Sequence, residues 1–137
     1  MADTPADFTT WDWSRAIFDH VHLRVADLDA SSAFYEAALA PLGIPLLLKL
    51  PHLHQFANLA LSADGEPSAR VHLAFTAPDE ATVQAFHAAG LKAGGTDNGP
   101  PGPREYGPPG STYYSAYVLD PDGNNVESVY RAFPGMS

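Results

Sequence analysis

The feature that most restricts how this chain can fold is an internal repeat. Displaced by 52 residues, segment 20–43 overlays segment 72–95 without a gap. His20 falls on His72, Asp27 on Asp79, Phe34 on Phe86 and Gly43 on Gly95, while Ala33, Ala37 and Leu39 match Ala85, Ala89 and Leu91. Self-similarity at a fixed period means that one supersecondary unit is built twice. Each copy opens on a β-type run, Phe18 to Val25 and then Arg70 to Thr76. Asp27 or Asp79 follows, where a helix N-cap accepts hydrogen bonds from unpaired N–H groups. Apolar residues then recur at helical spacing: Ala30, Ala33, Phe34 and Ala37 in one copy, Val83, Phe86 and Gly90 in the other. Gly43 and Gly95 sit just past the helices, where a left-handed residue closes the last turn.

The later strands are less sharply written. Leu46 to Leu50 and Phe56 to Leu61 are the candidates in the first copy, Tyr113 to Leu119 and Asn125 to Arg131 in the second. Asp120-Pro121-Asp122-Gly123 between the last two is a tight turn. Six Gly and five Pro between Gly94 and Gly110 predict an irregular loop, either a lid at the rim of a site or a plain connector. Each copy, at about fifty residues, has only a marginal core of its own, so the two are expected to share one. The expectation is an α+β fold with one domain over residues 18–131, made of modules 18–66 and 69–131, after an N-terminal extension of residues 1–17.

Charge and composition narrow the chemistry. Seven Lys and Arg against sixteen Asp and Glu give a formal charge of −9, which repels phosphate backbones and argues against nucleic acid. No apolar run is long enough for a bilayer span and the first ten residues are unlike a signal peptide, so a cytoplasmic protein away from membranes is expected. With no Cys, His and carboxylate are the strong side-chain metal ligands that remain. Alternation along the opening strand puts His20, His22 and Arg24 on one face and Val21, Leu23 and Val25 on the other. In the second copy His72 opposes Val71, Leu73 and Phe75, and Glu127 opposes Val126 and Ser128. Among the other histidines, His52 and His54 flank a strand where loop histidines are usually solvated, and His87 falls on an outer helix face.

Two strand–helix units with a His in each opening strand, followed by Asp120-Pro-Asp-Gly-Asn-Asn-Val-Glu127, resemble the vicinal oxygen chelate superfamily, which includes glyoxalase I, extradiol dioxygenases and bleomycin-binding proteins. The carrying segments are Asp19 to Leu28, Val71 to Phe75 and the strand that ends in Glu127, and the resemblance spans Phe18 to Arg131. It implies two βαβββ modules forming one cup-shaped mixed sheet, a half-barrel with helices outside. It also implies a divalent metal (Fe, Mn, Ni, Zn or Co) on His20, His72 and Glu127, with Glu127 catalytic as well, and a homodimer whose two chains can share the ligands. His22 competes with His20 for the first position, but the 52-residue repeat pairs His20 with His72.

A substrate with two adjacent oxygens would chelate such an ion, and His22, Arg24, Arg104, Tyr106, Tyr113 and Tyr117 are the candidates to contact it. Tyrosines in strands also pack for their own sake. The expected activity is an isomerase or lyase reaction, or ring cleavage by a small dioxygenase. The four-ligand site of glyoxalase I implies a second Glu in the first module, yet Phe56 to Ser62 holds no acidic residue. The rival readings are a metal-free drug-sequestering protein of the bleomycin-resistance type and a catalytically silent assembly partner.

Overall fold

The computed structural model describes residues 10–134, so the outermost part of the N-terminal extension lies outside the described residues. The first module runs β1 (Val21–Arg24), α1 (Leu28–Leu39), a short 3-10 helix (Ala40–Leu42), β2 (Leu46–Lys49), β3 (Leu53–Phe56) and β4 (Leu59–Ser62). The second runs β5 (His72–Thr76), α2 (Glu80–Lys92), β6 (Thr96–Pro103), β7 (Thr112–Leu119) and β8 (Asn125–Ala132). Both are βαβββ units, and the sheets repeat one topology, β1-β4-β3-β2 and β5-β8-β7-β6. In each, the opening strand lies parallel to the last, and the remaining pairs are antiparallel. The expected α+β architecture is therefore formed, as two four-stranded mixed sheets without a closed barrel and with the helices outside.

The strand registers carry the 52-residue repeat into three dimensions. Arg24 pairs with Ser62 as Thr76 pairs with Val129. The next amides repeat the pattern, Val25 donating to the Ser62 carbonyl and Ala77 to the Val129 carbonyl, each at 2.8 Å. Counting back along these ladders makes His20 the counterpart of His72, and Ala60 the counterpart of Glu127. Asp27 and Asp79 both cap their helices, accepting from Ala30 N at 3.1 Å and Thr82 N at 2.8 Å.

Period-2 alternation divides every strand between two faces. Leu23, Val25 and Leu61 of the first sheet and Val118 and Val126 of the second join Phe34, Tyr35, Leu39 and Phe86 of the helices in one core cluster. The modules thus share their apolar interior, and the faces bearing His22 and Glu127 are turned away from it. A polar contact locks the modules within that interior. The Tyr35 hydroxyl of α1 donates to Asp120 Oδ2 at 2.6 Å, and both side chains are buried. Asp120 also accepts from the amides of Asp122 and Asn124 and from Asn124 Nδ2, which fastens the turn before β8. Among the described residues no helix is long and apolar enough to cross a membrane.

Five local expectations are corrected. Phe56 to Leu61 is not one strand but the β3–β4 hairpin, turning at Ala57, whose φ of 48° is left-handed. Segment 96–103 is not irregular: β6 pairs with β7 through two register shifts, and its prolines are tolerated at a sheet edge. On α1 the core face carries Ser31, Ser32, Phe34, Tyr35, Ala38 and Leu39, whereas Ala30 and Ala33 are exposed. His54 is buried rather than solvated, bonded through Nδ1 to Ser32 Oγ at 2.6 Å, so each supplies the other's partner. Gly43 is left-handed as expected, but in the second copy that conformation falls on Gly94. Gly95 is needed for closeness instead: a methyl there would collide with Val118 and stand 2.6 Å from Phe34 Cε1.

Two substitutions test this packing. Tyr35→Phe removes the donor that joins α1 to Asp120 and should lower stability by about 2 kcal/mol, the range for a hydrogen bond to a charged group. Gly95→Ala should cost ~1–3 kcal/mol through overpacking. Urea unfolding should show a lower midpoint at unchanged slope for both, and an unaltered midpoint would refute the corresponding contact.

Candidate functional site

Strand β8 organises the site because alternation sends Val126 and Ser128 toward the core and Glu127, Val129 and Arg131 to the open face. Glu127 is only 1% exposed, and a buried carboxylate must be compensated by hydrogen-bond donors. It has two. His72 Nε2 lies 2.7 Å from Oε1, and the Tyr113 hydroxyl donates to Oε2 at 2.6 Å. With Glu127 ionised, Nε2 is the protonated nitrogen of His72, whose side chain is half exposed. His72 reaches the carboxylate from the parallel neighbour β5, and Tyr113 reaches it from the antiparallel neighbour β7. Burial, then the hydrogen bond to Glu127 and its charge, push the Tyr113 hydroxyl well above the ordinary tyrosine range. It is therefore a neutral donor at physiological pH.

The aromatic surround is equally local. Tyr117, the direct cross-strand partner of Glu127, inclines its ring to His72 at a centroid distance of 6.0 Å. Arg104 lies over the Tyr117 ring at 5.4 Å and donates to the carbonyls of Pro100 and Ser115, at 2.6 and 3.3 Å. Tyr106 meets Tyr113 edge-on at 5.0 Å. At the far end of the face Trp13 stacks on Phe133 at 5.0 Å, and the Arg131 guanidinium lies about 5 Å from the rings of Trp13, Tyr113 and Phe133.

The open face of the first sheet carries a second polar set. His22 Nε2 lies 2.6 Å from Ser62 Oγ, which donates to Asp64 Oδ1 at 2.7 Å, and Arg24 Nε stands 3.3 Å from the same carboxylate oxygen. The Ser62 hydrogen bond holds the Asp64 carboxyl below the usual carboxylate range. His20 precedes β1, is exposed, and contacts Asp19 through Nδ1 at 2.8 Å. It borders a shallow recess with His22, Gln55 and Ala60.

The candidates therefore fall into two groups on two faces. His72, Glu127, Tyr113 and Tyr117 stand on the second sheet with Arg104 and Tyr106 beside it in the β6–β7 loop, while His22 and Arg24 stand on the first with His20 just before it. Among the described residues of one chain, no three His, Cys, Asp or Glu side chains converge as a metal cage. Sequence reasoning missed Arg131, although it stands two alternations beyond Glu127 on the same strand. It also missed Ser62, Asp64, Trp13 and Phe133. Nothing in a sequence period signals Trp13, because a segment outside the repeat brings it to the sheet.

A family model described as the Glyoxalase/Bleomycin resistance protein/Dioxygenase superfamily matches residues 17–128. The chain is similar to a crystallised glyoxalase/bleomycin resistance protein from Albidiferax ferrireducens T118, with 34% identity and a TM-score of 0.75 over 85% of this chain and all of that one. It is also similar to a lactoylglutathione lyase from Agrobacterium tumefaciens, with 26% identity and a TM-score of 0.59 over 85% of this chain and 94% of that one. A glyoxalase-related enzyme from Fulvimarina pelagi shares the fold at 23% identity, with a TM-score of 0.63 over 82% of this chain and 86% of that one. No curated protein sequence matches the chain.

The Tyr113–Glu127 bond has a consequence at alkaline pH. A hydroxyl whose folded pKa is raised leaves stability intact below the ordinary value of about 10 and erodes it above that value, because the unfolded chain ionises first. Stability measured by urea unfolding should fall less steeply above that pH in Tyr113→Phe than in the parent. Identical slopes would mean that the two groups are not bonded in solution.

Proposed function

The chain belongs to the glyoxalase/bleomycin resistance protein/dioxygenase superfamily, and from that premise we propose that it is a metal-dependent enzyme acting on a small substrate that chelates a divalent ion through two adjacent oxygens. The observation that carries this reading is the buried Glu127 carboxylate, held between His72 and Tyr113 on an open sheet face. An imidazole and a carboxylate already converge there, a donor pair that suits Fe, Mn, Ni, Zn or Co. The third ligand is His20, the repeat counterpart of His72 on the other sheet. Both open faces are turned away from the shared core, so a second copy of the chain supplies it. In a two-fold dimer the first face of each chain covers the second face of the other, and two sites form, each with His20 from one chain and His72 and Glu127 from the other. Exposed Ile17, Phe18, Leu47, Leu48 and Leu50 offer apolar surface for that contact.

When bound, the ion supplies Lewis-acid stabilisation of charge developing on the substrate oxygens. The chain's own groups do the rest. Glu127 holds or moves the proton at the substrate carbon beside those oxygens, Tyr113 fixes the carboxylate through its second oxygen, and Arg104 keeps Tyr117 against His72. His22, steadied by Ser62 and Asp64, faces the substrate from the opposite sheet as an acid or base. Such a set serves an isomerase or lyase of α-oxygenated substrates, or a ring-cleaving dioxygenase. Ala60 stands where the first module would carry the counterpart of Glu127. That supports a three-ligand site over the four-ligand arrangement of glyoxalase I.

One observation favours a metal-free binding protein of the bleomycin-resistance type instead: Glu127 already has two partners, next to an aromatic wall of Trp13, Tyr113 and Phe133. Metal analysis separates the two readings. Protein purified without chelator should carry about one divalent ion per chain. His72→Ala and His20→Ala should each lose it while staying folded and dimeric. Mixed dimers of these two variants should regain one intact site, since one of the two composite sites is then spared. Metal-free parent protein would sink the enzyme reading, and mixed dimers without metal would sink the shared site.

A further inference from the structure

A cavity of about 270 Å³ opens on the second sheet beside the His72–Glu127 pair, and of its lining the proposed chemistry uses only Tyr113. Trp13 and Phe133, stacked within 25° of parallel, form a flat wall. Ala74 and Ala77 line it with short side chains that leave the space open, Val129 adds apolar surface, and Tyr113 borders it. Trp13, Arg131 and Phe133 all lie outside the residues matched by the family model, so this wall comes from the segments that flank the matched region. The Arg131 guanidinium faces all three rings and holds them together by cation–π attraction.

Size and lining specify an occupant. A dry apolar cavity of about 150 Å³ accepts benzene, so the larger space here takes up to two fused rings. A planar wall of stacked aromatics selects a flat body over a branched one. Tyr113 belongs to both places, since its ring borders the cavity and its hydroxyl is bonded to Glu127 Oε2. A ring seated on the Trp13–Phe133 wall thereby lies beside Tyr113, one hydrogen bond away from Glu127. We propose that this cavity is a specificity subsite for the aromatic portion of the substrate, which makes the substrate an aromatic or aryl-substituted compound with two adjacent oxygens. The cavity stands on its own geometry, while the position of the oxygens rests on the reading of the site given above.

Calorimetric titration of the full chain with three probes tests it. 2-Naphthol has the rings without the adjacent oxygens, oxalate has adjacent oxygens without a ring, and 2,3-dihydroxynaphthalene has both. Two variants complete the design. Trp13→Ala removes an exposed part of the wall, and Ala74→Leu fills the cavity while leaving every aromatic in place. The parent should bind both naphthalene probes, and each variant should weaken them about tenfold, the scale of a lost aromatic contact plus its buried area, with oxalate unchanged. Failure of 2-naphthol to bind the parent, or equal naphthol affinity in parent and both variants, would overturn the subsite. Oxalate affinity that ignores added Mn(II) would overturn the chelate reading alone, and the naphthol result would still decide the cavity.

Discussion

The Asp120 carboxylate is the point on which the rest of the structure hangs. It is buried where the modules meet, and a charge in that position is tolerated only because donors surround it. Two backbone amides and the Asn124 side chain come from its own turn, and the Tyr35 hydroxyl comes from the other module. Asp122 extends the same lock, accepting from the Ala26 amide at the end of the first module's opening strand. Hydrophobic burial gathers the two helices and two sheets but is non-directional. These directional bonds determine how the modules sit against each other, and they fasten the start of β8, which carries Glu127 two residues later.

Glu127 repeats that logic on the outer side of the sheet, with a different outcome. Its donors, His72 and Tyr113, are side chains rather than backbone amides, and both stand on a face that lacks its own cover. A carboxylate held by exchangeable side-chain donors can trade partners when something binds. Asp120 differs in that its Oδ1 is also held by two amides of its own turn. Asp120 faces the interior and Glu127 the open face, so one kind of device serves both sides of the same sheet.

Much of this was legible beforehand. The repeat located both helices, both capping aspartates and the counterpart relation of His20 and His72, because local hydrogen bonding and apolar period are short-range properties. Alternation along β8 was enough to place Glu127 opposite the core. What escaped has a common cause. Ser31, Ser32 and His54 are polar residues in an apolar environment, legible only when the partner across the module is known. The β6 segment disguised itself, since Gly and Pro weaken the strand signal without preventing edge pairing. Trp13 is attached to the site by tertiary contact alone, from a region without any period.

That same β6 segment limits how the molecule can grow. A sheet extends sideways by matching free N–H and C=O groups, and Pro100, Pro101 and Pro103 offer no N–H along the outer edge of the second sheet. The two register shifts twist what remains. Strand addition at that side is thereby disfavoured, leaving β5 as the edge strand of this sheet that contains no proline. Open-ended stacking through the β6 edge is disfavoured with it.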